Sequence, residues 1–200
     1  VQIWNPSFMH RPRFAHGPIQ QMSYGVNSYL WTDLSGQWES YAAQVHVLDW
    51  LFRSGDRVRV VVSPSGDRPR GPFEISPGVV IPPGPYQWVR RSIGVTTAQK
   101  RRYSMSVNWI SGSFYNGQLD QYEWSWVWNP APLFTVEFTG ERNLGRVARR
   151  HFTQELVGTR VRMNVSPDLS ISSFVQYDTD TDSIGVNTRL RWTLLPVADL

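Results

Sequence analysis

The chain has no cysteine, a single lysine and no long hydrophobic run. Without cysteine, disulfides and thiolate metal sites are excluded. No stretch approaches the roughly 18 apolar residues of a transmembrane helix. A bilayer could then be crossed only by strands, each needing about 9–11 residues, half of them apolar. Helical periodicity is almost absent. Lys100 stands alone, so the formal net charge of +4 rests on arginine. There is no G-x-S-x-G elbow, P-loop or H-E-x-x-H motif. His10, His16, His46 and His151 lie far apart, without the spacing of metal ligands. These absences predict a non-enzymatic protein with no metal and no cofactor.

What the chain has is aromatic residues, turn formers and alternation. Ten Trp, 15 Gly and 14 Pro suit short strands joined by many turns. In "DQYEWSWVWNPAPLFTVEF", Tyr122, Trp124, Trp126 and Trp128 occupy every second position, with Gln121, Glu123 and Ser125 between them. Period two means a strand with two unlike faces. The same alternation places Tyr103, Met105, Val107 and Trp109 opposite Ser104, Ser106 and Asn108. Val157, Val161 and Met163 oppose Arg160, Arg162 and Asn164; Val175 and Tyr177 oppose Gln176; Leu190 and Trp192 oppose Asn187, Arg189 and Arg191.

About ten strands are expected in a single domain over residues 1–200. Residues 1–20 carry Pro6, Pro12 and Pro18 and are expected to be an irregular lead-in. Counting back from the C-terminus, short links (166–168, 129–132, 97–101, 53–56) alternate with long ones (140–151, 111–120, 63–85). In an up-and-down array, alternate links share one end. Short turns at one end and long loops at the other are the pattern of a transmembrane β-barrel. Residues 63–85, with seven prolines, are expected to form the longest outer loop.

A barrel of this size could hardly fill its interior with four or five aromatics from one hairpin. The apolar face is therefore assigned to lipid, with Trp109, Tyr122, Trp124, Trp126, Trp128, Tyr177 and Trp192 as lipid-facing or girdle residues. Arg160, Arg162, Asn164, Gln176, Asn187, Arg189 and Arg191 are assigned to the lumen. There the guanidinium groups need no desolvation, and they predict a modest anion preference in any conducting form.

Two other clusters read as solvated loops. Asp178, Asp180 and Asp182 start like a calcium loop, but Ser183 and Arg189 stand where it requires glycine and glutamate. Arg142, Arg146, Arg149, Arg150 and His151 make a basic segment suited to anionic lipid or polysaccharide rather than nucleic acid.

Several segments carry a family resemblance: "LFRSGDRVRV", "GPFEISPGVVIPPGPYQW", "GSFYNGQ", "WNPAPLFTVEFTGERN" and, most specifically, "FVQYDTDTDSIGVNTRLRW". "WNPSFMHRPRF" is similar to the family's N-P-x-x-G-F-x-x-R turn. Together they resemble the C-terminal barrel region, a domain of unknown function, of bacterial outer-membrane proteins that begin with a family-9-type carbohydrate-binding domain. The resemblance runs over most of residues 20–200. It implies an antiparallel up-and-down barrel in a bacterial outer membrane, in contact with lipid and with glycans or lipopolysaccharide as candidate partners of the outer loops. It brings no catalytic residue. The carbohydrate-binding domain is not in this chain, and the family continues beyond a motif like "PVADL" into a last strand, so it implies part of a larger barrel.

The expected function is a porin-like channel or surface protein linked to glycan uptake. The alternatives are a soluble β-rich carbohydrate-binding module using its Trp face, and a barrel enzyme with a site at the loop end. In the second case a Ser/His/Asp set would assemble in space.

Overall fold

In the computed structural model, which describes residues 1–193, the chain is all β, and no helix occurs among the described residues. The strands are β1 (Gln2–Trp4), β2 (Ser7–His10), β3 (Ile19–Met22), β4 (Tyr24–Thr32), β5 (Trp38–Phe52), β6 (Arg57–Asp67), β7 (Phe73–Ser76) and β8 (Val79–Ile81). They continue as β9 (Tyr86–Thr96), β10 (Tyr103–Phe114), β11 (Gly117–Ala131), β12 (Phe134–Val147), β13 (Arg150–Ser166), β14 (Leu169–Asp178) and β15 (Ser183–Trp192). Ten of them, from 9 to 17 residues long, run in chain order through one antiparallel sheet: β4-β5-β6-β9-β10-β11-β12-β13-β14-β15. The expected up-and-down order of about ten strands is that path. Among the described residues the sheet is open, because β15 pairs only with β14. The "PVADL" motif lies outside the described residues.

Three expectations need correction. The lead-in is not irregular: β1 and β2 both pair with β4, and β3 pairs with β5. Its prolines fall between these short strands, where no ladder hydrogen bond is lost. Residues 63–85 are not all loop. Ser63–Asp67 continue β6, and Pro64 lies opposite Val89. Neither Ser63 nor Pro64 is paired with β5, so the missing N–H falls in a gap of that ladder.

The links 111–120 and 140–151 are almost wholly strand, closed by the two-residue turns Tyr115–Asn116 and Ala148–Arg149. Ala148 and Arg149 have φ of 51° and 62°, the signs a type I′ hairpin requires. Polar residues occupy both faces of these hairpin tips, so no amphipathic signal marks them as strands. The one long connection left at that end is 68–85, and it contains the β7–β8 hairpin.

On β9 and β10 the apolar and polar faces are sorted opposite to a water-soluble sheet. On β10, Tyr103 and Met105 are 51% and 50% exposed, while Ser104 between them is 6% exposed. On β9, Val89, Ile93 and Val95 are exposed, and Arg90, Ser92 and Gly94 between them are sheltered. The compact apolar core among the described residues lies elsewhere. It comprises Val79, Ile81 and Val147, packed by Phe73, Ile75, Tyr86, Phe114, Tyr115 and Phe152. This cluster fastens the β7–β8 hairpin to the tips of the β10–β11 and β12–β13 hairpins. At the opposite end, Asp56 in the β5–β6 turn accepts from the Ala98 amide (2.9 Å) and pairs with Arg101 (2.7 Å) in the β9–β10 turn. Arg101, then Ser54 and the Ala98 amide, hold its carboxyl well below the usual carboxylate range.

Candidate functional site

The sheltered face is the candidate site, and the pairing register shows how it is built. Glu137 lies opposite Arg160, which lies opposite Phe174, which lies opposite Asn187. The next rung holds Thr135, Arg162, Ser172 and Arg189, and the one beyond holds Asn164, Ser170 and Arg191. Gln176, opposite Gly158, falls on the same face. All seven polar residues singled out in the sequence thus share one face. Trp109, Tyr122, Trp124, Trp126, Trp128, Tyr177 and Trp192 share the other, through the pairs Trp109↔Tyr122, Trp126↔Phe138, Val157↔Tyr177 and Leu169↔Trp192. On that outer face Trp126 stacks on Phe138 (5.4 Å, 16°), and Tyr103 is nearly parallel to Trp126 and Trp128. Gly140 lies under Trp124; a Cβ there would come within 2.3 Å of the indole, so only glycine admits the ring.

The arginines are less free than alternation alone implied. The Glu137 carboxylate accepts from Arg162 (3.0 Å) and lies 3.5 Å from Arg160, whose guanidinium also covers the Phe174 ring at 4.8 Å. One acidic side chain therefore offsets part of the charge of two basic ones. These pairs are partly solvent-exposed, so they orient the guanidinium groups more than they stabilise the fold.

A second polar tier lies nearer the β7–β8 hairpin, and sequence reasoning did not find it. Glu123 and Glu141 are directly opposite each other on β11 and β12. Gln121 Nε2 donates to both, at 3.0 and 2.9 Å. Asn108 donates to Glu123 (2.9 Å) and Asn143 to Glu141 (2.8 Å). Like charges facing across strands repel, and these amide donors offset that repulsion. No group of three or more His, Cys, Asp or Glu side chains capable of holding a metal occurs among the described residues. The polar face thus carries carboxylates at mid-height and arginines toward the β11–β12 and β13–β14 turns. The polar letters at 121, 123, 141 and 143 were the available signal; only the register shows that they meet.

The hairpin that covers this face also reaches across it. Gln154 Nε2 donates to the Ile75 carbonyl (3.3 Å) and to Asp180 (3.2 Å), and Ser76 Oγ donates to Asp180 (3.3 Å). A segment leaving β6 is therefore tied to β13 and to the β14–β15 turn. Asp178, Asp180 and Asp182 form a self-bonded hairpin turn: Asp178 accepts from the Asp180 amide and Asp182 from the Tyr177 hydroxyl, both at 2.8 Å. Under the hairpin, Tyr115 donates to Asp67 at 2.9 Å; burial first, then this carboxylate, pushes its phenol well above its usual range. In the basic segment Arg142 pairs with Glu155 (3.0 Å), while Arg149 occupies the turn.

No family model, curated protein or solved structure matches this chain. The resemblance drawn above rests on its own residues.

Proposed function

We propose that this chain forms most of the wall of an outer-membrane β-barrel and that its polar face lines a partly closed solute path. The observation that carries the reading is the inverted burial of β9 and β10, repeated on β11, β13 and β14. A soluble protein shelters its aliphatic and aromatic side chains and exposes its serines and arginines; here the sorting is reversed. Apolar residues exposed over one continuous face of so many strands form far more than an ordinary surface patch. An outward apolar band with a polar interior is the arrangement that lipid requires. The soluble carbohydrate-binding module fits less well, because the aromatic side chains are spread along five strands of the sheet, from Trp109 to Trp192, rather than gathered at one place. The open edge at β15 is met, in this reading, by further strands that complete a larger barrel. The protein is then a bacterial outer-membrane channel or surface protein without enzymatic activity, linked by resemblance to glycan uptake.

Charge on the polar face gives a direct test. Glu137→Gln removes the carboxylate that Arg160 and Arg162 share and makes the lower tier more positive. In a planar bilayer under a salt gradient, the reversal potential of the reconstituted protein should move toward anion preference. A shift toward cations, or the absence of any conducting form in both proteins, would contradict the solute path.

A further inference from the structure

The polar face contains a cleft that neither arginine nor carboxylate tier explains. It lies between β5 and β10, beside the β7–β8 hairpin, and has a volume of about 380 Å³. That is within the roughly 300–1,000 Å³ range of small-molecule sites. We propose that it is a binding station for an acidic oligosaccharide, a short run of sugar rings bearing carboxylates. The inference deepens the reading of this face as a solute path.

Arg59 and Arg90 line the cleft, and neither makes an ion pair among the described residues. His46 Nε2 lies 3.3 Å from the Asn27 side-chain amide nitrogen. Its Nδ1 is buried and has no partner among the described residues, and the same holds for Nε of Arg90. The remaining bonds of Arg90 are long, 3.3 Å to Gln121 and 3.4 Å to the Ile110 carbonyl. Arg59 is exposed, and an anionic ligand would give both guanidinium groups the carboxylate partner that they lack.

Spacing and lining add the sugar. Arg59 lies opposite Gly94 and Arg90 opposite Ser63, so the two arginines are four residues apart along the β6–β9 ladder. At about 3.3 Å per residue that is roughly 13 Å, with His46 on the rung midway. Two acidic groups on an oligomer match that spacing. Trp88 and Phe114, 5.6 Å apart, give the cleft an apolar wall. Ser63, Ser65 and Ser92 line the rest with hydroxyls that both donate and accept. An aromatic wall for the C–H face of a ring, hydroxyl partners for its edge and cations for its carboxylates make up the recognition set for an acidic sugar. Glu123 is held by Asn108 and Gln121 and makes no ion pair with Arg90.

The test is isothermal titration of the full chain in detergent micelles with trigalacturonate, maltotriose, citrate and inorganic phosphate. Trigalacturonate should bind, with maltotriose and both small anions at least about tenfold weaker. Arg59→Gln and Arg90→Gln should each weaken trigalacturonate by about tenfold while leaving maltotriose unchanged, and Trp88→Leu should weaken both sugars. Lys100→Gln, in the β9–β10 turn and outside the cleft, should change neither. Arg90→Lys keeps the charge without the planar fork and should fall between native and Arg90→Gln, which guards against a variant that simply misfolds. Equal affinity for trigalacturonate and maltotriose, citrate or phosphate binding as tightly as trigalacturonate, or indifference to the Arg59 and Arg90 changes together would overturn the proposal. Such a failure, with the outer face still lipid-exposed by the labelling experiment that closes the Discussion, would remove the binding station and leave the barrel reading standing.

Discussion

Trp126→Arg is expected to destabilise the folded protein in lipid by about 2–4 kcal/mol if position 126 lies near the bilayer midplane, and less toward an interface. Ser125→Arg, one residue away, should cost little. Trp126 faces Met105 and Phe138 across its two neighbouring strands, and Ser125 faces Ser106 and Thr139. A guanidinium replacing the indole would enter hydrocarbon without a partner; one replacing the serine hydroxyl would enter a polar, wet face. The comparison separates lipid from water because Trp126 is already 37% exposed. On a water-facing sheet, exchanging a partly exposed side chain for arginine costs about half a kcal/mol or less. Refolding titrations in lipid vesicles give both stabilities, and equal values for the two variants would reverse the face assignment.

Ile81→Ala should release the β7–β8 hairpin. Ile81 is fully buried and Val79 nearly so, against Val147 on the facing hairpin tip. Truncating a buried isoleucine costs about 2–5 kcal/mol, and Ile81 belongs to the buried apolar cluster that seats this short hairpin. Its remaining ties to the sheet are few and partly exposed, Gln154 to Ile75 and Ser76 to Asp180 among them. The loss therefore falls on the hairpin's docking rather than on the ten-strand ladder. Protease cleavage reports it. In the native protein Arg68 covers the Trp38 ring and Arg70 pairs with Glu39, so cutting at these arginines should be slow. In Ile81→Ala it should become several-fold faster, and any conductance should rise as the path opens. Unchanged cleavage would show that the hairpin is held by something else. Cleavage at the Pro132–Leu133 or Pro167–Asp168 turns with residues 68–85 intact would invert the topology.

The strands of the C-terminal half were legible because each carries one apolar and one polar face. Trp124 and Ser125 announce a β-strand whatever surrounds them. The hairpin tips were not legible: Glu141, Arg142, Asn143 and Arg146 are polar on both faces, so period two leaves no trace there. The lead-in was obscured by its prolines, which lie between β1, β2 and β3 and not within them. Residues 68–85 read as a free loop because proline is frequent there, yet Val79 and Ile81 are among the most buried side chains described. Their docking depends on Val147, which is 66 residues beyond Ile81 in sequence, and no local pattern encodes it. The arginines of the lower tier were visible, but their partner Glu137 emerges only from the register, which places it opposite Arg160. The cleft was invisible for the same reason: Arg59, Arg90 and His46 come from three strands, and each alone looks like an ordinary polar position.

The central claim is that one face of this sheet meets lipid and the other meets water. The chain has no cysteine, so single cysteines can be introduced without background. Nitroxide labels placed in turn at positions 121 to 128, in protein reconstituted into vesicles, report collisions with oxygen, which concentrates in lipid, and with a water-soluble nickel chelate. The account predicts alternation along β11: labels at 122, 124, 126 and 128 accessible to oxygen, and labels at 121, 123, 125 and 127 accessible to nickel. The opposite phase would put the tryptophans inside, and nickel access at all eight positions would show that the strand never enters a membrane.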